Sequence, residues 1–415
     1  MTSPDRRAAL WTLCVGAAVF VVVALWLVPW HPVPGGDLTP LDPRSVFTDA
    51  EIQRAEAYSR QVRIWSWSSL AASLAMASWL AFSRRGRALF ARLPGPWWVQ
   101  VPLAVALVEV LRRVVTLPFA ALVRQQRLDE GLTNQSWAAF ALDLAKTELV
   151  GMVITSLALV AVVGCARRWR RAWPAVAAGL VAVLVLVGSF VYPLVVEPLF
   201  NHFEPLPDGP LRTQILKLAD EEGVQVDDVL VADASRRTTT LNAYVSGFGG
   251  TRRVVVYDNL VDDLPQDQAL SVVAHELAHA RHDDVVTGSV LGAAGAVAGV
   301  GLLALVLPLV GRRRAGPRPE LRYGGAAVPV VLALVALASL ATSPVGSTVS
   351  RQIEIRADVD ALRATGDADA FKAMQTQLAL RSRADPTPPT WSQFWFGTHP
   401  TGLTRMALAD RMARD

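Results

Sequence analysis

This chain is divided into blocks of about twenty apolar residues, and that division constrains its fold more than any other feature. A helix of about twenty residues crosses a hydrocarbon core of roughly 30 Å. Charged residues make up only 18% of the chain, whereas a soluble domain carries about a quarter. We therefore predict an integral, multi-pass membrane protein, mainly α-helical, that contacts the lipid bilayer. The seven predicted spans are 8–30, 64–83, 98–123, 147–166, 172–196, 287–310 and 326–348.

Charge and cysteine content exclude other classes of protein. The formal net charge is only +4, and the arginines cluster beside apolar spans, so no nucleic-acid partner is predicted. Cys14 and Cys165 lie inside apolar segments and are too few for a cysteine-based metal site. Arg6 and Arg7 precede the first span as in a signal peptide. That span is longer than a signal core and no small-x-small cleavage site follows it, so we expect a retained anchor.

The third predicted span is unusual because it carries three charged side chains. Glu109 lies three residues before Arg112 and four before Arg113, so both pairs share one helix face. Charges at such depth are costly unless they face the bundle interior or water. Two interpretations stay open: an internal ion pair that orders the bundle, or the wall of a polar chamber.

A polar stretch of globular character, 200–286, separates the fifth and sixth spans. The helical periodicity from 270 to 284 is expected to run directly into the sixth span. A Gly249–Gly250 pair predicts a hairpin turn within this stretch. The predicted strands are 229–234, 242–248 and 253–257.

The most specific motif is His275-Glu276-Leu277-Ala278-His279, within this helical stretch. Side chains four residues apart lie one helical turn above each other, so His275 and His279 can bind one Zn²⁺. Glu276 lies near enough to take a proton from the attacking water, while the zinc polarises the scissile carbonyl. The motif predicts a zinc metallopeptidase. The alternative is a pair of surface histidines on an amphipathic helix.

A catalytic zinc site needs a third protein ligand and one open position. Glu354 and Asp358 are four residues apart on a helix predicted at 349–364. Glu354 can bind the metal, and Asp358 can hydrogen-bond a ligand imidazole and fix its orientation. Two membrane crossings separate His275 from Glu354, so both emerge on the same face of the membrane. We predict one zinc ion per chain, bound by His275, His279 and Glu354.

From about residue 115 onward, the sequence resembles the type I CAAX prenyl endopeptidases and their bacterial membrane-metallopeptidase relatives. An ordered set of motifs carries the resemblance and is far more specific than an isolated HExxH. Ala278 replaces a common glycine and Ile355 a frequent aromatic residue, and neither change removes a ligand. The further motifs are Leu117-Pro118-Phe119, Gly131 to Asn134, Asp143, Glu197-Pro198-Leu199-Phe200-Asn201, Asn242-Ala243-Tyr244 and Thr398-His399-Pro400 through Arg405.

The resemblance implies roles for residues outside the zinc motif. The strand with Asn242, Ala243 and Tyr244 is expected to hold the substrate backbone as an added β-strand. His399 and Arg405 are expected near the zinc, where they stabilise the oxyanion, or, for Arg405, orient neighbouring groups. The substrate is then a membrane-associated or lipidated (CAAX-like) peptide or protein.

The resemblance also implies a small α+β zinc-peptidase portion of the gluzincin type beside the membrane bundle. The predicted organisation is spans one to five in 1–199, a catalytic loop with strands and the HExxH helix in 200–286, spans six and seven in 287–348, and the third-ligand helix with a catalytic tail in 349–415.

Other functions stay open at this stage. A membrane transporter with a structural zinc is one, although such a site normally fills its fourth position with another Cys or His. A non-proteolytic chaperone is another, against which the intact Glu276 argues. Among peptidases, membrane-protein quality control is the alternative. His282 is either an extra ligand or a helix-end histidine near Asp283 and Asp284. The sequence predicts no particular oligomeric state.

The side of the membrane that the zinc faces has two conflicting predictions. Fifteen basic residues lie in the N-terminus and in the three links on its side of the membrane, against seven in the opposite loops 31–63 and 124–146. Short cytoplasmic loops are enriched in Lys and Arg, so this count places the zinc outside the cytoplasm. The family resemblance implies a zinc site that faces the cytosol.

Overall fold

The computed structural model describes residues 3–169, 171–247, 249, 252–312 and 324–414. Phe248, Gly250 and part of the predicted link between the sixth and seventh spans lie outside the described residues. The described elements are α1 (Ser3–Leu27), α2 (Asp49–Phe82), α3 (Arg84–Phe90), α4 (Trp97–Asp129), α5 (Trp137–Arg168), α6 (Trp173–Val191), β1 (Phe203–Pro205), α7 (Pro210–Glu221), β2 (Asp228–Ala232), β3 (Ala243–Ser246), β4 (Arg253–Tyr257), α8 (Asp258–Asp263), α9 (Gln266–Arg281), α10 (Asp284–Arg312), α11 (Val328–Thr365), α12 (Ala368–Ser382), α13 (Thr390–Phe396) and α14 (Gly402–Met412).

Within the described residues, five helical segments are long and apolar enough to cross a membrane. The predicted spans in α2 and α4 do not meet that criterion, although these helices have 34 and 33 residues. Both carry charged and hydroxyl side chains along their length, which lowers their mean hydropathy. The five segments are Arg6–Leu27, Trp137–Arg168, Trp173–Leu199, Asp284–Val310 and Gly325–Thr365.

The long helices run between two ends of one bundle. At one end, Glu130, just after α4, pairs with Arg54 near the start of α2 (2.7 Å) and with Arg383 after α12 (3.1 Å). At the other end, the Arg167 guanidinium of α5 lies 5.5 Å from the ring centre of Trp97, where α4 begins. We call these the site end and the basic end. The globular elements from β1 to α9 and from α12 to α14 lie at the site end.

A small mixed sheet forms the globular core with α7, α9 and α12. Its strand order is β1-β2-β4-β3, in which β2 and β4 are parallel and the other pairs antiparallel. The three predicted strands are present, whereas the short strand β1 was not predicted. Among the strands that the structure describes, β3 lies at the edge of the sheet and pairs only with β4. Ile215, Val254, Leu277 and Phe371, all fully buried, link the sheet to the helices.

Two helix boundaries differ from the prediction, and both shape the site. The HExxH helix does not run directly into the next span, because α9 ends at Arg281 and Asp283 adopts a left-handed conformation (φ 52°). A non-glycine residue rarely adopts this conformation, although Asp and Asn tolerate it best. The predicted helix at 349–364 is the end of the 38-residue helix α11, continuous with the seventh predicted span. The bundle therefore holds Glu354 rigidly.

Candidate metal centre

Three donor atoms converge where α9 meets α11. The Nε2 atom of His275 lies 3.2 Å from Nε2 of His279 and 3.2 Å from Oε2 of Glu354. The Nε2 atom of His279 lies 3.7 Å from Oε1 of Glu354. His275 and Glu354 are buried, and His279 is half-buried. The three predicted ligands, His275, His279 and Glu354, are thus brought together as one group that could hold a metal ion. We call these three residues the metal group.

A carboxylate behind each imidazole fixes its orientation. Oδ1 of Asp358 lies 2.9 Å from Nδ1 of His275. Oδ2 of Asp284 lies 3.0 Å from Nδ1 of His279. A carboxylate can only accept here, so each Nδ1 carries the proton and each Nε2 keeps its lone pair. This is the arrangement by which proteins orient metal-binding histidines.

The chemistry of this group fits a bound cation. Two Nε2 lone pairs and a carboxylate face one another, and Oε2 of Glu354 lacks a hydrogen-bond donor among the described residues. The ligands of a tetrahedral zinc ion, bound at about 2.0–2.2 Å, lie roughly 3.3 Å apart, close to the distances between these atoms. Burial lowers the pKa of His275, but the neighbouring carboxylates of Asp358 and Glu354 outweigh burial and raise this pKa to about 9. The group therefore favours positive charge at its centre.

Glu276 follows the first ligand and faces the same cavity as His279 and Glu354. Burial raises the pKa of its carboxyl group, and the positive charges of His275 and His279 oppose that rise. A carboxylate that binds protons more tightly than usual is a stronger base. Glu276 therefore lies beside the three converging donor atoms, with a carboxyl group that binds protons more readily than usual.

His399 reaches the group from the loop before α14. Its Nε2 atom lies 3.4 Å from Oε1 of Glu354, and its side chain is 59% exposed. Its Nδ1 atom lies 3.0 Å from Oγ1 of Thr398. Partial burial lowers the pKa of His399, which favours the neutral ring. His399 thus lies on the open side of the three ligands.

Arg405 lies behind the ligands, in contact with Asp358. Its Nε atom donates to Oδ2 of Asp358 (2.7 Å), and its Nη2 atom donates to Oδ1 of the same carboxylate. Asp358 is fully buried, and the Arg405 side chain is only 12% exposed. A bidentate pair of this kind fixes both side chains. Of the two roles expected for Arg405, this geometry supports the orientation of Asp358 and, through it, of His275.

The edge strand β3 and a large cavity adjoin the metal group. Strand β3 packs against α9, and Tyr244 and Val245 line a cavity of about 1440 Å³. Apolar residues of α1, α5, α10 and α11 form most of its walls, and Glu276, His279 and Glu354 open into it. Asn242 lies at the far end of β3, where its carbonyl accepts from the Tyr257 N–H (3.0 Å).

Two further groups clarify what the sequence left open. His282 lies 2.7 Å from Asp360, as a helix-end histidine with an acidic partner, although that partner is neither Asp283 nor Asp284. Asp284 has the role that sequence reasoning missed, as the partner of His279. The sequence feature that could have indicated this role is an acidic residue five positions after His279. The helix break at Asp283 allows the Asp284 carboxylate to contact the His279 ring.

Two family models match the chain. The model of peptidase family M48 matches residues 205–413, which contain every residue of the metal group. A second, described as the CAAX prenyl protease N-terminal region with five membrane helices, matches residues 37–202. Together they cover residues 37–202 and 205–413 of the chain.

Individual relatives agree with the family models. The chain is 28% identical over 308 residues to the uncharacterized metalloprotease YhfN of Bacillus subtilis, covering 74% of this chain and 72% of the relative. It is 36% identical over 105 residues to CAAX prenyl protease 1 of Saccharomyces cerevisiae, covering 25% of this chain and 23% of the relative. The crystal structure of S. mikatae Ste24p has the same fold, with a TM-score of 0.76 at 18% identity, over 97% of this chain and 99% of that one. The chain therefore belongs to peptidase family M48 and is an integral-membrane metalloendopeptidase.

Proposed function

We propose that this enzyme cleaves peptide bonds of membrane-associated or lipidated proteins with a single zinc ion bound by His275, His279 and Glu354. One observation carries the proposal: two imidazole lone pairs and a carboxylate converge within 3.7 Å, with Glu276 beside them. Metalloproteases of family M48 depend on zinc in general. The donor set, two histidines and a glutamate, is that of zinc peptidases with an open fourth position.

Each residue around the ligands has a proposed task. A bound zinc ion would supply Lewis-acid chemistry, in that it activates water and polarises the scissile carbonyl. Glu276 accepts the proton of the attacking water and then donates it to the leaving amine. Asp358 and Asp284 hold the two ligand imidazoles in the tautomer with free Nε2 lone pairs. Arg405 keeps Asp358 ionised and in place.

His399 is proposed to stabilise the oxyanion. Thr398 Oγ–H donation to Nδ1 of His399 leaves the ring proton on Nε2, which faces the open side of the ligands. A neutral imidazole with this tautomer donates one hydrogen bond to the developing negative charge. Because His399 supplies the hydrogen bond to the oxyanion in this proposal, Arg405 is not needed for that role and keeps its contact with Asp358.

The edge strand and the apolar cavity support the proposed substrate class. An extended peptide can add to the free edge of β3 at Asn242, Ala243 and Tyr244, with backbone hydrogen bonds as the main contact. The cavity of about 1440 Å³ beside Tyr244 has mostly apolar walls from membrane helices. Such walls suit a lipid chain or an apolar membrane segment attached to the peptide. The relatives named as CAAX prenyl proteases are consistent with this class.

We further propose that α2 and α4 also cross the membrane, which gives seven spans. Both helices run the length of the bundle beside α5 and α11. Their polar side chains line an internal polar cavity, and intramembrane charges are tolerated when they face such a space. A hydropathy criterion misses helices of this kind. The four-part organisation of the chain, with peptidase portions at 200–286 and 349–415, rests on the same assignment.

Replacement of Glu276 tests the catalytic proposal. Glu276→Gln leaves the three ligands in place, so the purified variant should bind zinc at the wild-type level and lose at least about 10²–10⁴-fold in peptidase rate. Mass spectrometry of membranes that contain either the wild type or Glu276→Gln identifies substrates as the proteins whose fragments appear only with the wild type. Glu221→Gln, on the exposed face of α7, is the matched control and should retain activity. Wild-type turnover by Glu276→Gln would exclude the mechanism.

A further inference from the structure

The short helix α13 leads directly into the loop that carries His399. It packs against α11, the long helix that provides Glu354. The residues of α13 line neither the cavity of about 1440 Å³ nor the internal polar cavity between α2, α4 and α5. Helix α13 therefore adds no wall to the proposed substrate site, but its contacts with α11 can determine where the loop after it lies.

A proline in α11 provides a binding position for α13. Pro344 lies inside the helix and has no backbone N–H. The carbonyl of Leu340, four residues earlier, therefore lacks its usual intrahelical donor. The indole Nε1–H of Trp395 donates to this carbonyl oxygen (2.9 Å). Trp395 of α13 thus takes the place of the missing backbone N–H of α11.

The backbone of Trp395 is bound to the same part of α11. Oγ of Ser343 donates to the Trp395 carbonyl oxygen (2.7 Å), and Oγ of Ser347 donates to the same atom (3.2 Å). Ser343 directly precedes Pro344, and Ser347 follows it by almost one turn. The side chain and the backbone of Trp395 are therefore both bound to the two turns of α11 around Pro344.

Arg351, three residues before Glu354 on α11, holds the next part of the segment. Its Nη1 atom donates to the carbonyl oxygens of Gly397 (2.6 Å) and Gln393 (3.1 Å). Gln393 in turn donates from Nε2 to the carbonyl oxygen of His399 (2.6 Å). Arg351 therefore links the helix of Glu354 to the loop, and Gln393 extends this link to the backbone of His399 itself.

The exposed side chain of His399 depends on its backbone for its position. More than half of the side chain is exposed, and its Nδ1 atom contacts Thr398 of the same loop. Its Nε2 atom nevertheless lies 3.4 Å from Oε1 of Glu354, on another element. The contacts of α13 and Gly397 with α11 therefore hold the loop, and with it the ring, beside the metal group.

We propose that Trp395 and Arg351 are positioning residues for peptide cleavage, because they fix the His399 loop on the helix that carries Glu354. A displacement of α13 along α11 moves the His399 ring relative to the metal group. Donors that stabilise a developing oxyanion act over about 2.7–3.1 Å, so a small displacement lowers the rate of the chemical step. This proposal rests on the oxyanion role proposed for His399.

Removal of the indole donor tests the proposal with the full-length enzyme in phosphatidylcholine nanodiscs. Trp395→Phe keeps an aromatic ring and removes the N–H, so kcat should fall roughly 2- to 10-fold, the effect of one hydrogen bond between neutral groups. KM and zinc content should stay at the wild-type values, because α13 lines neither cavity. Trp391→Phe, the same substitution at an exposed residue of α13 that contacts Trp67 of α2, is the matched control and should retain kcat. A wild-type kcat in Trp395→Phe would overturn the proposal.

Arg351 is tested in the same way. Arg351→Gln removes both donations to the loop carbonyls and should lower kcat by more than Trp395→Phe does, since the lost hydrogen bonds are charge-assisted. Arg351→Lys keeps a charged donor and should restore part of the loss. Equal kcat in Arg351→Gln and the wild type would exclude a positioning role for Arg351.

A double-mutant cycle with His399 separates positioning from a merely structural role. If Trp395 acts through His399, Trp395→Phe should lower kcat in the wild type and leave it unchanged in the His399→Ala background. Equal fold losses in both backgrounds would overturn the proposal and leave the oxyanion role of His399 intact. A wild-type kcat in His399→Ala would instead refute that oxyanion role, and the proposal with it.

Pro344→Ala gives a second separation, because it supplies the N–H that Leu340 lacks. Trp395→Phe leaves the Leu340 carbonyl without its indole donor and should lower the thermal midpoint. Added to this variant, Pro344→Ala should restore the midpoint, since a backbone N–H again reaches Leu340, while kcat stays low because α13 remains unattached there. Recovery of kcat together with the midpoint would show a purely structural contact and overturn the proposal.

A distance measurement reports the position of the loop without turnover, and so separates failure of this proposal from failure of the peptidase function. With both native cysteines replaced, nitroxide labels are attached at Phe396→Cys, the exposed end of α13, and at Arg363→Cys, an exposed position on α11. The distribution of label distances should shift or broaden in Trp395→Phe and stay as in the wild type in Trp391→Phe. The same distribution in all three proteins would overturn the proposal, whether or not the enzyme cleaves peptides.

Discussion

Oδ2 of Asp284 lies 3.0 Å from Nδ1 of His279, across the break between α9 and α10. Asp358 stands in the same relation to His275, at 2.9 Å, from the end of α11. The two histidines of one helix are therefore oriented by carboxylates from two different helices of the membrane bundle. Asp284 also pairs with Arg356, one turn before Asp360 on α11. The metal group is thus tied to the bundle on both sides.

Asp284→Asn should weaken zinc binding by about 10–100-fold, the range typical of groups that orient a metal ligand. An amide can still accept from Nδ1 of His279, but it lacks the charge that favours the bound cation. Competition with a chelating zinc indicator measures the change. Asp283→Asn is the matched control, because Asp283 contacts Arg252 instead of His279 and Asn tolerates its positive φ. Equal losses in the two variants would contradict the role of Asp284.

Glu354→Gln should lose zinc and activity together, since the variant removes a charged ligand from the metal. Asp358→Asn should be milder, with a loss of about 10–100-fold in zinc affinity. Metal content after dialysis against a fixed concentration of free zinc ranks the two variants. A zinc loss in Asp358→Asn as large as that in Glu354→Gln would mean that Asp358 contacts the metal itself.

The relative placement of the proposed ligands could be predicted within each helix, because helical geometry decides it locally. Four-residue spacing places His275 above His279, and it places Glu354 above Asp358, whatever the rest of the chain does. The two predicted crossings between His275 and Glu354 placed both residues on the same face of the membrane. The helix that carries Glu354 was predicted as separate from the seventh span, whereas both belong to α11. The role of Asp284 could not be predicted, because it depends on one left-handed residue between two helices. The sequence likewise left the role of the charged residues of α4 undecided, because Glu148, the partner of Arg112 and Arg113, lies on another helix, α5.

Chelation of the metal should abolish activity reversibly. Incubation with 1,10-phenanthroline is expected to inhibit peptide cleavage, and added Zn²⁺ should restore it, because the three ligands are held in place by α9 and α11. Reagents that modify serine or cysteine should have no effect, since Cys14 and Cys165 lie on α1 and α5, outside the metal group. Full activity in enzyme shown by elemental analysis to be free of metal would refute the zinc mechanism.

Val245→Pro tests substrate addition to the free edge of β3. The Asn242 carbonyl accepts from Tyr257 of β4, and inward and outward bonding alternate along a strand, so the N–H of Val245 points away from β4. Proline removes that donor and preserves the sheet, since edge strands tolerate it. We expect a roughly 2- to 10-fold rise in KM, the effect of one backbone hydrogen bond, with an unchanged thermal midpoint. Val245→Ala also shortens the side chain but keeps the N–H, so its KM should stay below that of Val245→Pro. An unchanged KM in Val245→Pro would argue against strand addition.

The last prediction concerns the side of the membrane that the metal group faces. Two arginine-rich connections between helices lie at the basic end of the bundle, opposite the metal group. They are residues 84–92 and the residues around Arg167. Short cytoplasmic loops carry the excess of Lys and Arg, so the metal group should face away from the cytoplasm. Ala91→Cys at the basic end and Asp208→Cys at the site end are both exposed. With Cys14 and Cys165 replaced, an impermeant maleimide on intact cells should label the cysteine at 208 and leave that at 91 unlabelled. The reverse pattern would place the zinc in the cytosol, as the family resemblance implies.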